Sequence, residues 1–524
     1  MNKKMNVGFV SLGCSKNLVD TEMMIGLFEK ENFNIVSNPE DADIIVVNTC
    51  GFIEKAKEEA INTLLEMAEY KKKRCKYLVA TGCLVERYKE ELQKEMPEVD
   101  LFVKFSEYST FWQQIVDGLH LGNELKNNGE KNIEKANAKF VENKDKENLN
   151  KNEKIICQIK NENTKDKKEF EKLDFNNRVV STGENYAYLR IADGCDNFCT
   201  FCAIPYIRGR FKSRTEEDIL EEARGLAKKG IRELIVIAQD TTKYGVDIYG
   251  EPRLADLLHK LSEIDGIEWI RFLYSYPETI TDELIEEVKT NDKICKYFDI
   301  PIQHISDSIL KKMNRKTTKS SIKKLIEKLR KEIPNVIIRS TLMVGFPGET
   351  DENFAELVDF VEWAKFDKLG CFSYSKEEGT AAAKMPNQIK ANVKKARYNK
   401  IMKIQQQISK KNLQNKVGKV YKTLLEDATA VEDNNGINEK KIKNDESNMK
   451  NVNELSERKN KKISNSKKEN KVILIGRTYM DVPEIDGKVY IPVDENELKK
   501  IELNTFVNCK ITEVEEYDLI GKII

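Results

Sequence analysis

Apolar residues in this chain come in short blocks of strand length, and helix-spaced patterns fill the gaps between them. Near the start the blocks are Val7-Gly8-Phe9-Val10-Ser11-Leu12-Gly13, Asp43-Ile44-Ile45-Val46-Val47-Asn48-Thr49 and Tyr77-Leu78-Val79-Ala80-Thr81-Gly82. Between them, Asn17 to Lys30 carries Leu18, Met23, Met24, Leu27 and Phe28, and Ile53 to Tyr70 carries Ala56, Ala60, Leu64, Leu65 and Met67 at helical intervals. This alternation predicts an open parallel α/β sheet. It resumes after Asn177, with strands expected at 186–192, 233–238, 269–274, 298–302, 335–344 and 369–374 and amphipathic helices between them, several opened by Thr, Ser or Asp. Six strand and helix units are fewer than the eight of a complete barrel, so a partial parallel barrel is expected. Toward the end, 418–426, 472–477, 487–491 and 506–511 alternate like strands of a small antiparallel barrel.

Two stretches interrupt the pattern, 123–176 and 431–470, rich in Lys, Asn and Glu and poor in large apolar residues. Such composition buries too little apolar surface to offset chain entropy, so both are expected to be disordered insertions. The expected domains are therefore 1–122, 177–410 and 414–524. The 88 basic and 88 acidic residues cancel, so no global field draws the chain to nucleic acid or to a membrane. No spanning run or leader is evident, and a soluble cytoplasmic protein is expected.

The cysteines change the picture. In a reducing compartment, eleven of them are metal ligands or buried small hydrophobes before they are disulfides. Cys14, Cys50 and Cys83 each follow an apolar run, which puts them at the carboxyl edge of the sheet, where open α/β sheets bind ligands. Cys195, Cys199 and Cys202 crowd the loop after the first strand of the second region. Three thiolates can hold three irons of a four-iron cluster and leave the fourth open. Zinc, which takes four ligands in structural sites, and a disulfide loop are the rivals. Cys75, Cys157, Cys295, Cys371 and Cys509 read as buried hydrophobes. Other strand-end loops carry Gln239-Asp240-Thr241-Thr242, Gln303-His304 and the turn Gly345-Phe346-Pro347-Gly348-Glu349.

The spacing Cys195-x3-Cys199-x2-Cys202, with Phe201 before the last thiol, resembles the signature of radical S-adenosylmethionine enzymes. Together with the N-terminal triplet it resembles the methylthiotransferases. Ser11-Leu12-Gly13-Cys14-Ser15-Lys16-Asn17, Ala238-Gln239-Asp240-Thr241-Thr242 and Pro483-Glu484-Ile485-Asp486-Gly487 are similar to the branch that modifies a ribosomal-protein aspartate. The tRNA branch usually has Gln-Met-Asn after its first cysteine. The resemblance implies a radical-SAM partial (β/α)6 barrel, a TRAM-like C-terminal barrel, and two four-iron four-sulfur clusters, one on Cys195, Cys199 and Cys202 and the other on Cys14, Cys50 and Cys83. It implies S-adenosylmethionine as methyl donor and radical source, an external reducing electron donor, and methylthiolation of the β-carbon of an aspartate in small-subunit ribosomal protein S-twelve. Phe201 would flank the adenine, Gln239 and Asp240 would face the methionine amino group, and Gly345 to Glu349 would line the adenosine. Asp481, Glu484 and Asp486 would suit a basic partner. Alternatives are a tRNA adenosine methylthiotransferase and a non-enzymatic iron-sulfur or RNA-binding protein. Even without metal, the six thiols should form two triplets, the sulfurs of each converging at the strand ends.

Overall fold

A computed structural model describes residues 4–121, 175–183, 185–430 and 471–524. The two charged insertions expected from composition lie outside these residues, except for the end of the first, where Phe175–Asn177 forms a short 3-10 turn. Residues 1–364 with 369–402 make one compact unit, and 365–368 with 403–524 make a second.

The first unit opens with a five-stranded sheet in the order β2-β1-β3-β4-β5, from β1 (Asn6–Ser11), β2 (Asn34–Val36), β3 (Ile44–Thr49), β4 (Tyr77–Gly82) and β5 (Leu101–Lys104). All four pairings are parallel. Every residue of β3 is buried, which explains its unbroken apolar run: a central parallel strand is covered on both faces. One layer of side chains includes Ala60, Leu64 and Met67 of α2 (Glu54–Glu69). The other gathers Met24 and Phe28 of α1 (Ser15–Lys30) with Phe111 and Ile115. The edge strands β2 and β5 were not expected from sequence, because three and four residues are too short to show a period.

The partial barrel follows as two three-stranded sheets. One has the order β8-β7-β6, from β6 (Tyr186–Arg190), β7 (Glu233–Ile237) and β8 (Trp269–Phe272); the other runs β9-β10-β11, from β9 (Tyr297–Gln303), β10 (Ile337–Val344) and β11 (Lys368–Ser373). The six expected strands are therefore the six observed. Among the described residues, no helix is long and apolar enough to cross a membrane.

In the second unit, five strands close a barrel: β12 (Val420–Ala430), β13 (Lys471–Thr478), β14 (Val489–Asp494), β15 (Phe506–Val514) and β16 (Leu519–Ile523). It is not wholly antiparallel as expected, because β14 pairs with β16 in parallel and this contact closes the ring. Asp481 is buried and accepts from Lys368 and Thr478, both at 3.0 Å or less. Asp486 accepts from the Val482 amide. Asp481 and Asp486 thus brace a turn, and Glu484 between them is exposed.

The sheet domain and the partial barrel are joined through buried charge. Asp20 on α1 accepts from Arg190 at the end of β6 and from Arg208 at 2.7 Å; Arg208 also donates to Asp193 at 2.9 Å. All four side chains are at most 2% exposed. Burial alone would raise the Asp193 carboxyl, but Arg208 and Arg190 outweigh it and hold it below the usual range. A second set joins Arg178 to Glu22 and Glu222, with Arg214 donating to Glu222 at 2.5 Å. Removing one partner of such a pair leaves an uncompensated charge in a poor solvent for it. Asp20→Ala should therefore cost about 3–5 kcal/mol in urea unfolding. Lys72→Ala, which breaks the exposed pair with Glu69, should cost under about 1 kcal/mol.

Candidate active site

The N-terminal triplet is assembled by its backbone. Cys14 caps α1 in extended conformation, Cys50 follows β3, and Cys83 opens α3 (Cys83–Glu95) directly after β4. Because β1, β3 and β4 are hydrogen-bonded neighbours, their carboxyl ends lie side by side. Two glycines permit the final approach. A β-carbon at Gly13 would sit 2.8 Å from the Cys50 sulfur, and one at Gly51 would sit 2.7 Å from the Leu84 Cα. The loop behind Cys50 is held from the barrel side. Glu377, 3% exposed, accepts from the Glu54 amide at 3.1 Å and lies 3.3 Å from Lys57, while Arg87 donates to the Gly51 carbonyl at 2.7 Å.

The second triplet lies on the loop after β6. Gly194 has φ 74°, and its Cβ position is closed by the Arg210 carbonyl at 2.1 Å, so the chain folds tightly back on itself here. Asn197 donates to Asp240 at 2.9 Å, and the Thr200 amide and carbonyl bond Met313 and Ala382. Tyr276 and Arg315 close over Cys199: the phenol oxygen is 3.7 Å from the sulfur, Arg315 Nη1 is 3.9 Å from it, and the guanidinium stacks 4.3 Å above the Tyr276 ring.

Cys83 packs against Ala203 and Ile207, which come one and five residues after Cys202, so one thiol of the first set meets the segment that follows the second. Arg208 reaches the same place, with Nη2 3.9 Å from the Cys83 sulfur and 2.7 Å from Asn17 Oδ1. Burial pushes the Cys83 thiol up to about 12 and the Cys195 thiol to about 11. Burial also raises Cys50 and Cys202. Within each set the sulfurs are near enough to raise one another: Cys14 and Cys50 act on Cys83, and Cys199 and Cys195 act on Cys202. No three Cys, His, Asp or Glu side chains stand at metal-holding separation among the described residues. The expected convergence of each triplet's sulfurs is therefore not met: the backbone gathers the thiols but does not draw them around a point. Three soft donors per set still suit an iron-sulfur cluster with one open iron better than closed four-ligand zinc.

Of the other expected residues, Gln239 donates to Asp193 at 2.8 Å, and its Oε1 is buried without a hydrogen-bond partner. Asp240 is bound by Asn197 and Thr242, and burial raises its carboxyl. Phe201 meets Phe346 edge-on at 6.5 Å. Glu349 turns inward and accepts from the amides of Gly345 and Phe346, so it caps its own turn, while its Oε1 has no hydrogen-bond partner and lies 3.9 Å from His304 Nε2. His304 is fully buried and accepts from the Ser306 amide, as a structural histidine would. Cys75, Cys295, Cys371 and Cys509 are buried, as expected; Cys157 lies outside the described residues. Arg208, Tyr276, Arg315 and Glu377 were not singled out in the sequence. Their positions after strands or short helices were readable, but their partners were not.

Family models match residues 189–361 as the radical SAM superfamily, 6–104 as uncharacterized protein family UPF0004, and 463–524 as a TRAM domain. The ribosomal protein uS12 methylthiotransferase RimO of Alkaliphilus oremlandii is 53% identical over 519 residues, covering 99% of each chain. The proteins of the same name from Acetivibrio thermocellus and Clostridium perfringens are 44% and 45% identical over 521 and 519 residues. Each spans 99% of this chain and at least 98% of its own.

Thiols held protonated by burial must lose their protons to bind iron, so metal retention should fall with pH. Iron left on the loaded protein after a fixed challenge with chelator should be lower at about pH 6.5 than at about pH 8.5. Equal retention would mean that the thiols are not the ligands.

Proposed function

Because the chain belongs to the ribosomal protein uS12 methylthiotransferase family, we propose that it attaches a methylthio group to the β-carbon of an aspartate of that ribosomal protein by radical S-adenosylmethionine chemistry. As a member of the radical SAM superfamily it works with a four-iron four-sulfur cluster and S-adenosylmethionine. In our reading Cys195, Cys199 and Cys202 hold that cluster, Cys14, Cys50 and Cys83 hold a second one, and an external reductant supplies the electron. The single observation that supports this reading is the contact of Cys83 with Ala203 and Ile207: sulfur to be transferred and the radical that prepares its acceptor have to meet, and here a thiol of one set packs on the segment that follows the other, within one compact unit.

When bound, the cofactors supply hydrogen abstraction and the sulfur; the chain binds, orients and shields them. Asn197 and Asp240 hold the loop of the second triplet against the end of β7. Gln239, oriented by its bond to Asp193, presents a buried carbonyl oxygen that suits the amino group of S-adenosylmethionine. The Glu349 carboxylate organises the Gly345 turn from within, which leaves Phe201 and Phe346 as an apolar wall suited to adenosine. Arg208 beside Cys83 and Arg315 beside Cys199 place positive charge where ligation makes thiolates, an arrangement that favours the metal-bound form.

Two variants separate the roles. With reconstituted enzyme, S-adenosylmethionine, sulfide, reductant and uS12, Cys199→Ser should yield neither 5′-deoxyadenosine nor modified protein. Cys83→Ser should still yield 5′-deoxyadenosine while the intact mass of uS12 stays unchanged. If the unaltered enzyme leaves that mass unchanged, the proposed function is wrong.

A further inference from the structure

Lys16 stands two residues after Cys14 in the first turn of α1, and only 6% of it is exposed. Its ammonium lies 3.1 Å from the centroid of the Tyr274 ring, and no hydrogen bond or ion pair to its side chain occurs among the described residues. The natural partner one turn along the helix, Asp20, is already committed to Arg190 and Arg208. The stem of the side chain is buried while its nitrogen keeps an opening to solvent, and a ring face satisfies such a charge only in part. The ring holds the charge in place from one side, so the N–H groups turned away from it remain for a ligand.

The place is specific. Tyr274 follows β8 in a left-handed conformation at φ 63°, held by the bond of its amide to Asp299 at 3.0 Å. Its carbonyl accepts from the Thr241 amide, next to Asp240, which is bound to Asn197 between Cys195 and Cys199. Lys16 therefore reaches from the edge of one thiol set to a loop that is bonded, through Thr241 and Asp240, to the loop of the other. A substrate presented to both would pass its reacting group here.

We propose that Lys16 is the specificity-determining residue that binds the side-chain carboxylate of the substrate aspartate. This rests on the functional reading above and adds to it the group that tells a carboxylate substrate from a neutral one. The carboxylate is bonded directly to the β-carbon, so a cation that holds it also orients the carbon that receives sulfur. A compact ammonium with free donors suits a single carboxylate approaching end-on. Competing anions would be the ligated thiolates, and in that case Lys16 would serve the metal site alone.

The test measures affinity of the fully reconstituted full chain for two forms of uS12, one with the target aspartate and one with asparagine in its place. The unaltered enzyme should prefer the aspartate form by about thirtyfold, since a desolvated charge pair loses at least this much when one partner is neutralised. Lys16→Met should bind both forms alike, with iron content and visible spectrum unchanged, and Lys16→Arg should restore part of the preference. Lys16→Gln carries the same comparison if the methionine variant does not fold. Retention of the full preference in Lys16→Met overturns the proposal, as does loss of iron with the preference intact. Failure of the unaltered enzyme to modify uS12 at all is a different result, which removes the functional reading on which the proposal stands.

Discussion

Four charged side chains sealed from water, Asp20, Arg190, Asp193 and Arg208, set the relation between the two halves of the site. Asp20 belongs to the helix that starts at Cys14, Arg190 and Asp193 lead into Cys195, and Arg208 follows Cys202. Buried ion pairs contribute little net stability compared with apolar side chains of the same size, because desolvation offsets most of the attraction. What they supply is intolerance of misalignment. A shift of α1 against β6 would leave charges unpaired in a low dielectric, and that cost far exceeds the cost of sliding one apolar surface over another.

The consequences reach both sulfur sets. Arg208 carries the lattice to the Cys83 sulfur, and Asp193 carries it to Gln239. Glu377 makes a second link on the opposite side, from the loop after β11 to the loop after Cys50. The N-terminal thiols are thus positioned by their own sheet for mutual spacing, and by the barrel for distance from the other set.

Much of this was legible in the sequence. Buried parallel strands read as continuous apolar runs, so Ile44–Thr49 and Glu233–Ile237 appear at their expected places with ends shifted by a residue or two. The six thiols were recognisable because strand ends and close spacing mark them without any partner. What was hidden depends on pairing over long separations. Asp20 and Arg190 are 170 residues apart, and each alone looks like an ordinary helix or strand-end charge. Lys16 stood in the sequence only as part of the motif around Cys14, since it is the fold that brings Tyr274 over it. The acidic residues around Asp486 suggested a partner surface, and only the fold reveals that Asp481 and Asp486 also brace their own turn. The parallel closure of β14 on β16 likewise depends on how the ring meets itself, which no local pattern encodes.

The central claim is that the two thiol sets form one site, joined where Cys83 packs on the segment after Cys202. Electron paramagnetic resonance of the protein with both sites loaded and reduced tests it directly, against the summed spectra of Cys14→Ala/Cys50→Ala/Cys83→Ala and Cys195→Ala/Cys199→Ala/Cys202→Ala. Neighbouring clusters should interact magnetically, so the spectrum of the doubly loaded protein should be broadened or split relative to that sum. A spectrum identical to the sum, with iron confirmed at both sites, would contradict the account.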